Sequence, residues 1–203
     1  MKKIIFIGGA PTTGKSHLTK KLSEELKLPW ISTDTIRELM RRLVKKEDYP
    51  ALFYLSEATP EKAVEFLTGN TPKDIVRIQN EESLDVWKGV KALIETDYVW
   101  ESFIVEGVAL LPHMILKFIT ENKNIDVKAV FLVRENVEHI RKVIFTRGLW
   151  DDAEKYPDSI KEKEVAWVIA FNNFIKTETK KYNLPTINAD YKNYLEEVKR
   201  IIK

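Results

Sequence analysis

The sequence contains no cysteine, which excludes disulfides and thiolate metal sites and fits a reducing cytoplasm. Histidine is scarce, with three in 203 residues. His113 and His139 have no acidic or histidine partner at metal-ligand spacing, and no nucleophilic triad pattern is present. Structural or surface roles are therefore expected for both. Neither sign of charge predominates: 33 basic against 31 acidic residues leave a net charge of +2. Such a balance sets up no strong field toward nucleic acid or a membrane surface. No apolar run approaches the ~18 residues that a membrane-spanning helix needs. Two lysines and a few apolar residues before the first glycines are too short for a secretory signal, so none is expected.

What is present is a composition of 44% hydrophobic and 32% charged residues, that of a globular protein with a real core. The length suits a single domain over 1–203, with room for a small insertion. Glycine is sparse at seven residues, and the stretch Gly9-Ala10-Pro11-Thr12-Thr13-Gly14-Lys15-Ser16 stands out. It fits the phosphate-loop pattern of glycine, four free positions, glycine, lysine and serine or threonine. An apolar segment, Ile4 to Ile7, precedes it and reads as a buried parallel strand. After it, Leu18, Leu22 and Leu26 recur at helical spacing. Strand, glycine-bearing turn and helix together are the context in which the motif binds a nucleoside triphosphate.

The chemistry accounts for the residue types. Glycines let successive backbone N–H groups converge on an anion, and the start of a helix adds its positive dipole end. Lys15 can reach the outer phosphates, and the Ser16 hydroxyl can ligate Mg²⁺. His17 is grouped with the loop as nucleotide-binding, its ring directed away along the helix.

Further along, Leu28–Ser32 reads as a second strand, followed by a helix capped by Thr33 or Asp34 and running through Val44. Residues 48–72 carry three prolines and a Gly-Asn pair, which implies broken structure with one helix from Pro60 to Leu67. This segment is expected to be mobile and to cover a substrate. A long helix follows from Lys73 or Asp74 to about Glu95, then a strand Ser102–Gly107 and a helix Pro112–Thr120. Val127–Val133 is the next strand and Glu135–Arg147 the next helix. The pattern breaks at Gly148–Asp152, and a helix from Ser159 to Lys181 should be largely buried around Val165–Phe171. Leu184–Asn188 and Tyr191–Ile202 supply a last strand and helix. Five strands alternating with helices predict a parallel sheet covered on both faces, with ligands beyond the carboxyl ends of its strands. The loop, Asp34, Glu106, Arg134 and Asn188 all fall at that edge.

Phosphoryl transfer requires positioning, a metal, positive charge and usually a carboxylate near the nucleophile. Asp34, opening a helix beyond the second strand, suits a group that orients or deprotonates a substrate hydroxyl, and equally suits a helix cap. Arg37, one turn later, can grip an anionic substrate, whereas Arg41 and Arg42 read as a solvated face. Glu106 ends an apolar strand, where a carboxylate is costly without a partner; Mg²⁺ or a following turn could supply one. Gly107 lets a ligand approach the backbone. Among Arg134, Arg141 and Arg147, the latter two are the candidates for a lid, around 141–158, that closes over the phosphates.

Several stretches together resemble the 2-phosphoglycerate kinase-like group of phosphate-loop kinases. They are Gly8 to Ser16, Ile31 to Arg41, Tyr49-Pro50-Ala51-Leu52 with Ser56, Gln79 with the helix through Ile94, Glu106 to Pro112, and His139 to Arg147. At two positions the chain departs from that group, with Ala109 in place of a histidine and His113 in place of a common glycine. The resemblance implies an adenylate-kinase-like, three-layer α/β fold with a small lid. It also implies transfer of the γ-phosphate of ATP, with Mg²⁺, to a hydroxyl of a small, anionic acceptor such as 2-phosphoglycerate. A nucleoside or RNA kinase and a nucleotide-dependent switch stay open as alternatives, although the balanced charge shows no polynucleotide footprint.

Overall fold

The computed structural model describes residues 2–54, 59–96, 100–147 and 153–203. Its centre is a strand whose side chains alternate between two cores. Along β1 (Lys3–Gly9), Ile4 and Phe6 enter one apolar cluster while Ile5 and Ile7 enter the other, and all four are fully buried. A strand buried on both faces must be covered by helices on both.

The remaining strands are β2 (Trp30–Ser32), β3 (Ser102–Gly107), β4 (Asp126–Val133) and β5 (Thr186–Asn188). All pairings are parallel, in the order β2-β3-β1-β4-β5. The five-stranded parallel sheet read from the sequence is thus the sheet observed. On one face pack α1 (Lys15–Leu26) and α8 (Tyr194–Ile202), through Leu18, Leu22, Val198 and Ile202. The opposite face carries α2 (Thr33–Leu43), α4 (Pro72–Thr96), α5 (Pro112–Glu121), α6 (Val137–Arg147) and α7 (Asp158–Lys181). Phe6, Trp87 and Phe118 hold α4 and α5 against β1, with ring centroids 5.7–5.8 Å apart.

The segment after α2 is anchored as well as broken. A 3-10 turn at Pro50–Phe53 buries Leu52, and α3 (Pro60–Gly69) buries Ala63 and Leu67 in the same core. Thr59 caps α3 by accepting from the Lys62 amide. Ser56 and the Gly148–Asp152 break lie outside the described residues.

Two sequence expectations need correction. The cap of α2 is Ser32, not Thr33 or Asp34: Ser32 keeps extended backbone angles and its Oγ accepts from the Thr35 amide at 3.0 Å. Arg41 is no solvated residue, because its side chain is only 10% exposed. It donates to the Leu52 carbonyl, to Glu38 at 2.7 Å and to Glu82 of α4 at 2.9 Å, joining α2, the 3-10 turn and α4.

Candidate active site

The sheet order sets the site. β1 lies between β3 and β4, and β3 separates it from β2, so the phosphate loop, the start of α2 and the end of β3 converge at the carboxyl edge. Ile7 stands opposite Glu106 in one ladder, and Ser32 stands opposite Glu106 in the other.

The loop itself runs from Gly9 to Ser16. Gly9 has φ +137°, and a Cβ there would lie 2.2 Å from the Leu132 carbonyl, so only glycine fits between β1 and β4. Thr12 takes a left-handed φ of 64°, and Gly14 follows with 84° as the residue before α1. Alternation of this kind turns backbone N–H groups toward a common centre. Thr13 Oγ1 donates to the Ala10 carbonyl at 2.8 Å, which fixes the loop on itself. Pro11 restricts its entry to one backbone angle.

Lys15 is buried and folds back to donate to the Ala10 carbonyl at 2.7 Å. Burial pulls its pKa below the ordinary lysine value, opposed by the negative charges of Glu106 and Asp34. Glu106 is only 4% exposed, and its Oε1 accepts from the Ser16 hydroxyl at 3.1 Å. Burial pushes the Glu106 carboxyl up, Lys15 and the Ser16 bond pull it down, and Asp34 pushes it up again. A hydroxyl and a buried carboxylate in contact form an oxygen donor set of the kind Mg²⁺ takes, with phosphates and waters completing its shell. Among the described residues no three His, Asp or Glu side chains cluster as a metal cage.

Gly107, with φ +150°, lets β3 pass against the start of α2: a Cβ there would stand 1.8 Å from Thr33 Oγ1. Its role is therefore this close approach of backbone to Thr33.

Asp34 is 61% exposed and pairs with Arg37 at 3.1 Å. Its charge is felt by Lys15, by Glu106 and by Glu82, so it stands between the phosphate loop and a second polar cluster. In that cluster Arg37 also contacts Glu38 at 3.2 Å and Glu82 at 3.6 Å. Burial lowers the Arg37 pKa, but Asp34, Glu82 and Glu38 together hold it above its ordinary value. Burial raises the Glu82 carboxyl, against the pull of Arg37 and Arg41.

Arg37, Arg41 and Glu82 line a cavity of about 100 Å³, whose other walls include Tyr54, Phe66, Gln79 and Trp167. The Trp167 Nε1–H donates to Gln79 Oε1 at 3.1 Å, which leaves the amide hydrogens of Gln79 as its remaining donors. Sequence reading missed Glu82 and Trp167 as site residues. Glu82 had a readable signal, since it lies four residues before buried Val86 on α4.

The lid candidates lie on α6. Arg141 donates to Glu162 of α7 and approaches Glu138 at 3.9 Å; Arg147 is the exposed last residue of the helix. Arg134 pairs with Asp190 at 2.8 Å, and Asp190 also accepts from the amides of Glu135 and Asn136. This tie joins the ends of β4 and β5, beside Asn188. The side chain of His17 is exposed; His113 stands 3.8 Å from Glu178, and the His139 amide donates to Asn136.

No protein-family model matches the chain. Among curated proteins it is 27% identical to the 2-phosphoglycerate kinase of Methanopyrus kandleri, over 93% of this chain and 56% of that protein. Identity is 26% to the enzyme of that name from Methanothermobacter thermautotrophicus, over 96% of this chain and 63% of that protein. The chain thus spans about three fifths of the length of these relatives. Among solved structures, a shikimate kinase from Bacteroides thetaiotaomicron superimposes with a TM-score of 0.51 at 15% identity, covering 98% of this chain and 96% of that one. A gluconokinase from Sinorhizobium meliloti gives 0.51 at 15% identity, over 99% and 94%. The fold is that of the phosphate-loop kinases, and the sequence resemblance to the 2-phosphoglycerate kinase group is borne out by these relatives.

Proposed function

We propose that this chain is a phosphate-loop kinase that transfers the γ-phosphate of ATP to a hydroxyl of a small anionic acceptor. The observation that carries this reading is the convergence of Lys15, Ser16 and Glu106, with Asp34 standing between them and a small cavity. Loop amides from Gly9 to Ser16 bind the phosphates, and Lys15 exchanges its bond to the Ala10 carbonyl for the outer phosphate oxygens. Ser16 and Glu106 would hold Mg²⁺, which would supply neutralising charge on the phosphates when bound. Asp34 accepts the hydrogen bond of the acceptor hydroxyl and aligns it with the phosphorus. Arg37 holds the acidic group of the acceptor. Arg141 and Arg147, around a lid at 141–158, and the segment 48–72 close over the site and exclude water.

Support for a small acceptor comes from the cavity of about 100 Å³ beside Arg37 and Glu82. The curated relatives are named for 2-phosphoglycerate, which makes it the first acceptor to test. The described helices include none long and apolar enough to cross a membrane, and a cytoplasmic setting belongs to the same proposal.

The test is ATP turnover in Mg²⁺ against a panel of small hydroxy acids, phosphorylated acids and nucleosides, with Lys15→Ala beside the wild type. Acceptor-dependent ADP release that is lost in Lys15→Ala is the expected result. Slow hydrolysis that no acceptor stimulates would instead identify a nucleotide-dependent switch.

A further inference from the structure

Trp167 decides which way the side chain of Gln79 points. The tryptophan is 6% exposed, and its indole Nε1–H can only donate. It stands 3.1 Å from the Gln79 side chain, so the atom facing it is the carbonyl oxygen. The flipped amide would set N–H against N–H and replace a hydrogen bond with a clash of two donors. The amide orientation therefore follows from the chemistry of the indole, and the NH₂ group of Gln79 is turned away from it. Gln79 stands on α4 and Trp167 on α7, so this aim depends on how the two helices pack.

Both residues line the cavity beside Arg37 and Glu82. The charged groups of that lining answer one another, with Glu82 at 2.9 Å from Arg41 and 3.6 Å from Arg37. Among the described residues nothing accepts from the Gln79 amide hydrogens. They are donors on a neutral group, so they can bind an anion without a countercharge to displace. A carboxylate or phosphate oxygen, which only accepts, satisfies them fully. A hydroxyl does so only by sending its own hydrogen elsewhere. Hydrogen bonds to a charged oxygen are also the stronger kind.

We infer that Gln79 determines acceptor specificity by donating to an anionic oxygen of the phosphate acceptor, and that Trp167 is a positioning residue acting through Gln79. This rests on the kinase reading of the same cavity and deepens it, adding a neutral donor to the charge that Arg37 supplies.

The experiment offers glycerate, glycerol 2-phosphate and 2-phosphoglycerate to the wild type, Gln79→Glu, Trp167→Phe and the double variant. Turnover is followed by ADP release, and binding by calorimetry with a non-hydrolysable ATP analogue and Mg²⁺. Gln79→Glu keeps the shape and an oxygen for the indole, but turns an acceptor toward the cavity in place of a donor. The KM for the phosphate acceptor should rise by roughly 10–100-fold, with the KM for ATP unchanged. Trp167→Phe keeps a ring but frees the amide to flip, and should raise the same KM by about threefold to tenfold. In the Gln79→Glu background the two oxygens are equivalent, so adding Trp167→Phe should cost nothing further. Whether the effect follows the carboxylate compounds or the phosphate compounds names the oxygen that Gln79 holds. An acceptor KM unmoved in Gln79→Glu, or parallel losses in kcat, both KM values and melting temperature, overturns the inference. A Trp167→Phe penalty that persists in the double variant overturns the positioning role. If the wild type turns over none of the three compounds, the kinase reading falls and calorimetry alone decides the inference. Binding weakened by Gln79→Glu then supports it, and binding that is equal or absent overturns it.

Discussion

Ser16 and Glu106 are 90 residues apart in the chain, and the Ser16 hydroxyl donates to the Glu106 carboxylate at 3.1 Å. One opens the helix after β1 and the other nearly ends β3, so their contact depends on the parallel pairing of those strands. Glu106 is buried at the point where a divalent cation would give it a full countercharge.

If Ser16 and Glu106 form the proposed cation site, Glu106→Gln should abolish it while keeping the fold. The expected outcome is a fall in turnover of about a hundredfold or more, with the Mg²⁺ requirement shifted to much higher concentration. Thermal unfolding of the metal-free protein should shift to lower temperature, because buried Lys15 loses the negative charge that offsets its desolvation. A magnesium titration of ATP turnover, beside a melting curve, reads both. An unchanged magnesium requirement would remove Glu106 from the metal site.

Asp34→Asn separates acceptor chemistry from nucleotide binding. Asp34 is largely exposed and makes no hydrogen bond to the loop, so ATP affinity should stay at the wild-type level. Acceptor-dependent turnover should fall by roughly 10²–10⁴, the usual contribution of a positioned base. Calorimetry with the ATP analogue and a steady-state assay distinguish the two effects. Loss of nucleotide affinity would assign Asp34 to the phosphate site instead.

Glu164 should make stability fall as pH rises through neutrality. It lies in the middle of the buried stripe of α7 with Ile160, Val168 and Phe171; its side chain is 1% exposed and neither carboxylate oxygen has a hydrogen-bond partner. Burial pushes its pKa from 4.5 to about 7, against the pull of Lys161. The folded state therefore holds its proton more tightly than the unfolded one. The stabilisation is full below pH 4.5 and is lost as pH rises through about 7. Glu164→Gln removes this dependence, so its advantage over the wild type should grow by roughly 1–3 kcal/mol between pH 5 and pH 8. Urea unfolding at the two pH values measures it, and an equal difference at both would show that Glu164 is paired.

Gly107→Ala should destabilise by about 2 kcal/mol or more, since the new Cβ meets Thr33 Oγ1 at a positive φ. Adding Thr33→Ser removes the Thr33 methyl but not the oxygen, so it should rescue little, whereas Thr33→Ala should recover part of the loss. Denaturant midpoints of the three proteins decide this. Full recovery with Thr33→Ser would place the strain at the methyl.

Much of this architecture is legible in the chain because its signals are local. Apolar alternation and helical spacing mark every strand and every α-helix to within a few residues, and the phosphate loop declares itself by glycine, lysine and serine. The acceptor cavity is not local. Arg41 reads as a surface residue on α2 because its partners, Leu52 and Glu82, arrive from the 3-10 turn and from α4. Glu82 and Trp167 come together from α4 and α7, and no periodicity in either helix announces the other. Glu164 is hidden for a different reason: a glutamate in a charged heptad looks solvated until the packing of α7 is known. The cap of α2 was misplaced by one residue or two because Ser32, Thr33 and Asp34 are all competent caps, and only the strand register decides among them.

The central place of β1 in the sheet also governs how the protein must be made. β1 precedes every other strand described, yet its two neighbours begin at residues 102 and 126. A largely apolar strand thus waits, unpaired on both edges, until the chain beyond residue 102 has been synthesised. Contacts of such long sequence separation slow folding and keep an aggregation-prone edge exposed. Refolding from denaturant should accordingly be slow for the chain's size, with phosphate-loop geometry appearing only when β4 docks. The strand arrangement that brings the loop, Asp34 and Glu106 together thus makes the site one of the last features of the molecule to form.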